Sequence, residues 1–257
     1  MPLLRLPTHD RLAYIDTGPT GGSPLLLIHG FTGTATADLG NLIAEFAPAH
    51  RLLAPDLRGY GQSRPPNRDF PPDFYERDAV DMAALLDAVQ PGPVVVLGFS
   101  DGAEVALLLA AARPDLVRGV VAWGVSGVIS PEELAGVAKW LPATAWGPER
   151  EQWKQQIITR HGAEQFPAMV EGWVAAAQAI AAAGGNICYQ QAANIACPVL
   201  LLNGDGEEGN TPRDVRRLAE RIPGARLEFV SDSGHAIHRD RPDVLLARIR
   251  AFLAEGY

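Results

Sequence analysis

VVLGFSDGAEVALLL, residues 95–109, is an apolar run broken by a small polar knot, and the knot decides how the chain is read. Gly98-Phe99-Ser100-Asp101-Gly102 fits the pattern G-x-S-x-G. It follows the strand-like PVVVLG (93–98) and opens the helix-like GAEVALLLAAA (102–112). Strand, tight turn and helix in that order are what a nucleophile elbow needs. Glycines on either side let backbones approach closely, and the serine is turned outward at the top of a sheet. A serine hydroxyl is a poor nucleophile until a base takes its proton, so the rest of the chain must supply that base.

Outward from the knot, short apolar runs alternate with helical patterns. LAYID (12–16), PLLLIHG (24–30), RLLAPD (51–56), VRGVVAWG (117–124), PVLLLNGD (198–205) and ARLEFV (225–230) read as further strands. Several are apolar on successive residues, as strands covered on both faces are. Helical patterns fall at 37–48, 74–89, 102–113, 212–222 and 241–254, and Thr211-Pro212 is a good helix start. This alternation predicts a doubly wound α/β sheet. Residues from about 126 to 190 break the rhythm: they are helical without a strand and hold Trp140, Trp146, Trp153 and Trp173. The expected organisation is a core of 1–125 and 191–257 with a helical cap, 126–190, over the carboxyl ends of the strands, where ligands bind in such sheets. A tryptophan of that cap is a candidate for the pocket wall; the others read as packing anchors.

Composition limits the function classes. The chain has 257 residues, is 47% hydrophobic and 20% charged, and carries a net charge of -8. That is an ordinary globular composition, and its acidity disfavours nucleic-acid binding. No stretch reaches the ~18 apolar residues of a membrane span. MPLLRLPTHDRL, at the start, has no apolar core of signal-peptide length and reads as strand and turn. Cys188 and Cys197 lack metal-site spacing and read as reduced thiols, so a cytoplasmic protein is expected. No metal or organic cofactor is expected, since there is no histidine or cysteine cluster.

The base is sought among six histidines. His235, in SDSGHAIH directly after the last strand, is the candidate, with His238 the nearest competitor. His29 ends the strand LLLIHG and suits support of the loop HGFTG (29–33). His9, His50 and His161 read as surface residues. An acid must orient the imidazole and stabilise its cationic form. NGDGEEGNTP (203–212) offers Asp205, Glu207 and Glu208. Counting forward from Gly204 reaches Glu207, and counting back from Pro212 reaches Glu208. EGNTP favours Glu208, with Glu207 close behind and Asp205 a loop-structuring residue. The backbone N–H groups of Phe31 and Asp101 are the expected oxyanion donors. Asp56 and Arg58 in DLRGYGQS read as setting loop geometry.

The order serine, acid, histidine is that of the α/β-hydrolase fold. The chain resembles that superfamily over its whole length, and within it the valacyclovir hydrolase (biphenyl hydrolase-like) family of serine hydrolases. The carriers are DLRGYGQSRPPNRDFPPDFYERDAVD (56–81), GFSDG (98–102), VAWG (121–124), GNIC (185–188) and CPVLLLNG (197–204). The resemblance implies hydrolysis of α-amino acid esters, with Asp101 holding the substrate α-ammonium. Two departures stand out: glutamates occur where that family has aspartate on a shorter loop, and Ala103-Glu104 follows where a second glycine is usual. A carboxylate at Asp101 also has a cost of its own. At about 5 Å and an effective dielectric near 20 it would repel the oxyanion by about 3 kcal/mol. A substrate cation between the two would remove that cost. The alternatives are a general carboxylesterase, thioesterase or lactonase without ammonium recognition, and, in another class, a ligand-binding receptor-like relative with little turnover.

Overall fold

The computed structural model describes residues 1–7 and 10–256, so His9 lies outside the described residues. Among these, the strands are β1 (Leu3–Arg5), β2 (Arg11–Thr17), β3 (Leu25–Ile28), β4 (Leu52–Pro55), β5 (Val94–Phe99), β6 (Val117–Trp123), β7 (Val199–Gly204) and β8 (Arg226–Val230). They form one sheet in the order β1-β2-β4-β3-β5-β6-β7-β8. β2 pairs antiparallel with β1 and β4, and every pairing from β4 to β8 is parallel. The helices are α1 (Ala35–Phe46), α2 (Phe74–Val89), α3 (Asp101–Ala112), α4 (Pro131–Ala138), α5 (Pro148–His161), α6 (Ala168–Ala182), α7 (Pro212–Arg221), α8 (Ile237–Asp240) and α9 (Pro242–Ala254).

The unbroken apolar character of β5 follows from its two covered faces. Val94 and Val96 pack with α2 and α3, whereas Val95, Leu97 and Phe99 pack with α1 and α9. At ~1.5–3 kcal/mol for each large apolar side chain buried, both faces contribute to stability. Helix α3 is buried on all sides from Asp101 to Ala110, which explains why its sequence is apolar throughout. Both cysteines are free. No helix among the described residues is long and apolar enough to cross a membrane.

Between β6 and β7 the chain runs through α4, α5 and α6, with one isolated bridge pairing Val128 with Asn186. Pro131 opens α4, where the Ser130 hydroxyl caps the Glu133 N–H at 3.0 Å. This segment is tied to loops that leave the carboxyl ends of the strands. The Trp153 Nε1–H donates to Thr32 Oγ1 at 2.9 Å, and Gln165 Nε2 donates to Gly59 O at 3.0 Å. His161 corrects its expectation as a surface residue, because it is fully buried. Its Nε2 meets Thr32 O at 3.0 Å and its Nδ1 accepts the Gly61 N–H at 3.1 Å. Burial lowers His161 to about 4, so it serves these loops as a neutral ring.

Candidate active site

The knot at 98–102 is a strained turn. Ser100 has φ 54° and ψ −123°, a conformation that costs a non-glycine residue about 1–3 kcal/mol and persists only where its surroundings impose it. They do so here. A Cβ on Gly98 would stand 2.5 Å from Gly102 O, and one on Gly102 would stand 2.3 Å from Ile28 O. Both glycines are therefore required by close backbone approach. The Ser100 N–H is held by Trp123 O at 3.0 Å.

His235 reaches this serine from the loop after β8. Its Nε2 lies 2.9 Å from Ser100 Oγ and its Nδ1 lies 2.5 Å from Glu207 Oε2. An ionised carboxylate only accepts, so Nδ1 carries the proton and Nε2 accepts from the serine hydroxyl. Gly124, at the end of β6, leaves room for the ring, since a Cβ there would stand 2.9 Å from His235 Cε1. His238 is turned away, buried with Nδ1 accepting the Trp123 Nε1–H at 3.2 Å.

The glutamate on His235 is Glu207, which corrects the preference for Glu208. Glu208 is exposed, whereas the Glu207 side chain is only 4% exposed. The physical reason is where the loop takes up its extra residue. Glu207 Oε1 accepts the Gly209 N–H at 2.8 Å and the Asn210 N–H at 3.3 Å, so the chain winds around this carboxylate before α7 begins. The added residue thus lies after the acid, and counting back from Pro212 overshoots. Burial pushes the Glu207 carboxyl up, but His235 and these two amides outweigh it and hold it below the usual range. Asp205 is exposed.

Phe31 and Thr32 lie on the loop after β3, and Thr32 has φ 58°. His29 braces this loop: its Nδ1 meets Gly30 O at 2.8 Å, and its Nε2 accepts the Leu57 N–H at 2.9 Å. Among the described residues neither the Phe31 nor the Asp101 N–H meets an acceptor. Asp56 accepts the N–H groups of Ala35 and Gln62, each at 2.9 Å. Arg58 forks onto Asp81 at 2.8 and 2.6 Å.

A cavity of about 610 Å³ opens over Ser100, and its wall includes Phe31, Trp140, Trp153 and Trp173. Trp140 stacks on Phe31 at 6.1 Å between ring centroids, while Trp146 stands behind, stacked on Trp153 at 4.6 Å. The Asp101 carboxylate also lines this cavity. It accepts the Tyr75 O–H at 2.9 Å and the Trp173 Nε1–H at 3.0 Å. Both donors are neutral. Burial raises Asp101 to about 6 despite them.

Two further acids reach the cavity: Glu104, singled out in the sequence only as a departure from the family pattern, and Glu133, which carried no motif. Glu104 lines the cavity one turn beyond Asp101, and Glu133 enters it from α4. Burial raises Glu104 to about 7, against the Cys188 thiol and the Gly127 and Ser126 amides. A carboxyl whose folded value lies above its unfolded one penalises folding as pH rises through that interval. Here the interval is 4.5 to about 7, so the penalty is on the order of 3 kcal/mol above it and absent below it. Glu104→Gln is therefore expected to raise Tm by several degrees at pH 8 and to leave it unchanged at pH 4. Thermal unfolding at the two pH values checks this.

Residues 25–248 match the alpha/beta hydrolase family. The chain is similar to the human protein named serine hydrolase BPHL, 31% identical over 237 residues that cover 89% of this chain and 78% of that protein. It is also 31% identical to the magnesium-chelatase 30 kDa subunit of Rhodobacter capsulatus, over 93% of this chain and 89% of that protein. Among solved structures, a thermophilic esterase from Thermogutta terrifontis superposes with a TM-score of 0.73 at 24% identity, covering 99% of both chains.

Proposed function

The chain belongs to the alpha/beta hydrolase family, and on that premise we propose that it is a serine hydrolase cleaving small α-amino acid esters. One observation carries this reading: a Ser100–His235–Glu207 relay and an unneutralised Asp101 carboxylate share one cavity. Ser100 Oγ attacks the ester carbonyl as His235 Nε2 takes its proton. Glu207 fixes the ring and stabilises the imidazolium. The Phe31 and Asp101 amides hold the oxyanion. His235 then returns the proton to the departing alcohol, and water releases the acyl group with His235 as base. Helices α4, α5 and α6 act as the cap that keeps this chemistry from bulk water.

Asp101 supplies the substrate class. Its donors Tyr75 and Trp173 position the carboxylate without neutralising it. An α-ammonium two bonds from the carbonyl carbon has the right reach to complete the set and to offset the repulsion of the oxyanion. The kinship with a protein named serine hydrolase supports the reaction class.

A fluorophosphonate probe tests the nucleophile. The expected result is one adduct per chain, on the peptide containing Ser100, and no adduct after Ser100→Ala. A folded protein whose Ser100 stays unmodified would contradict the enzyme reading and favour a ligand-binding role.

A further inference from the structure

Most of the buried acids of this chain are neutralised or amide-bound. Among the described residues, buried Asp38, Asp78, Asp81 and Asp214 each meet an arginine within 3 Å, and Asp56 takes two backbone amides. At the cavity wall Glu104 shares the amide-bound pattern of Asp56, but one oxygen of Glu104 and one of Glu133 have no partner. No basic side chain among the described residues lies within 4.0 Å of the carboxylates of Asp101, Glu104 or Glu133.

Glu104 is only 4% exposed. Its Oε1 accepts the Gly127 N–H at 2.9 Å and the Ser126 N–H at 3.3 Å, and the Cys188 thiol, a weak donor, stands beside the carboxyl. Its Oε2 makes no hydrogen bond, and neither does the shielded Oε2 of Glu133, although both residues line the cavity. Leaving two buried carboxyl oxygens unpaired is costly unless a ligand completes them. We propose that Glu104 and Glu133 form a second cation subsite beside Asp101, and that the preferred substrates are esters of α,ω-diamino acids such as lysine or ornithine.

The spacing supports this occupant. Asp101 and Glu104 stand three positions apart on α3, which separates their Cβ atoms by about 5–6 Å. That separation suits two ammonium groups on one short carbon chain. Among the described residues no three His, Cys, Asp or Glu side chains are grouped to hold a metal ion. The subsite takes the acyl side chain rather than the alcohol, because the leaving oxygen must stay beside His235, which protonates it. Charge repulsion among these acids agrees with the same occupant. Burial, then the neighbouring Glu104, Asp101 and Glu207, push the Glu133 carboxyl well above its ordinary range, a state that a cation relieves.

The proposal rests on the amino-ester reading, and the test separates the two. Benzyl esters of lysine, norleucine and N-acetylnorleucine are compared by kcat/KM at pH 7. The expected lysine-to-norleucine ratio is tenfold or more, and Glu133→Gln or Glu104→Gln reduces that ratio at least tenfold. A ratio of one or less in the unmodified protein overturns the second subsite, as does a ratio that neither variant changes. If norleucine ester is preferred over its N-acetyl form while the lysine ratio is one or less, the second subsite alone fails. If norleucine ester shows no such preference, the Asp101 reading fails and takes this proposal with it.

Discussion

Replacing Glu207 by glutamine is expected to lower kcat by about 10,000-fold. The hydrogen bonds around this side chain dictate why. Glu207 Oε1 accepts the N–H groups of Gly209 and Asn210, so the glutamine carbonyl oxygen must stay there. Its amide NH₂ then occupies the place of Oε2 and faces His235 Nδ1. Nδ1 must now accept, which moves the ring proton to Nε2, and an Nε2–H cannot take the proton of Ser100. The ring remains in place in the wrong tautomer. Glu208→Gln, on an exposed side chain, is expected to change kcat little by comparison. Steady-state kinetics of the two variants decide between the neighbouring glutamates. A large loss in Glu208→Gln with little in Glu207→Gln would reverse the assignment.

That pair also marks how far the sequence could be read. The turn at Ser100 was legible because its flanking glycines are demanded by backbone contact, and such demands are local. His235 was legible because strand and helix patterns bracket it. The acid was not, because Glu207 and Glu208 are chemically alike and a single added residue could be absorbed before or after either. Only the winding of Gly209 and Asn210 around Glu207 settles which one turns inward. His161 looked like a surface residue because its partners, Thr32 and Gly61, are about a hundred or more positions away in the chain. Glu133 carried no signal at all. It sits in the first turn of an ordinary capped helix, and its place in the cavity depends on where the whole segment docks.

The second large effect is expected at Asp101. Asp101→Asn preserves volume and removes the charge that the α-ammonium meets. Breaking a buried charge pair by removing one partner costs about 3–5 kcal/mol, so the preference for free-amino over N-acetylated esters should fall by at least about 100-fold. With the asparagine carbonyl oxygen in the place of Oδ1, it keeps the Tyr75 O–H at 2.9 Å and the Trp173 N–H at 3.3 Å, and the NH₂ in the place of Oδ2 gives up only the shorter Trp173 bond, so the loss falls mainly on the charge. The same preference should titrate. Burial raises the Asp101 carboxyl to about 6, so the ammonium-binding carboxylate predominates above that pH and is lost as pH falls through it. kcat/KM reports the free enzyme, and taking the ratio of two esters cancels every pH dependence that the two reactions share. At the alkaline end the ratio should decline again as the substrate's own ammonium, near the ~7.7–8.0 of an α-amino group, deprotonates. A preference that is flat from pH 5 to 7 would show that Asp101 does not bind the ammonium.

The pairing of a serine nucleophile with an ammonium-binding carboxylate on one substrate makes the free amine essential. That requirement is tested most directly by the hydrolysis of valine benzyl ester and its N-acetyl derivative by the unmodified protein at pH 7. The free-amino ester is expected to show a kcat/KM at least about 100-fold higher. Equal values for the two esters would contradict that requirement.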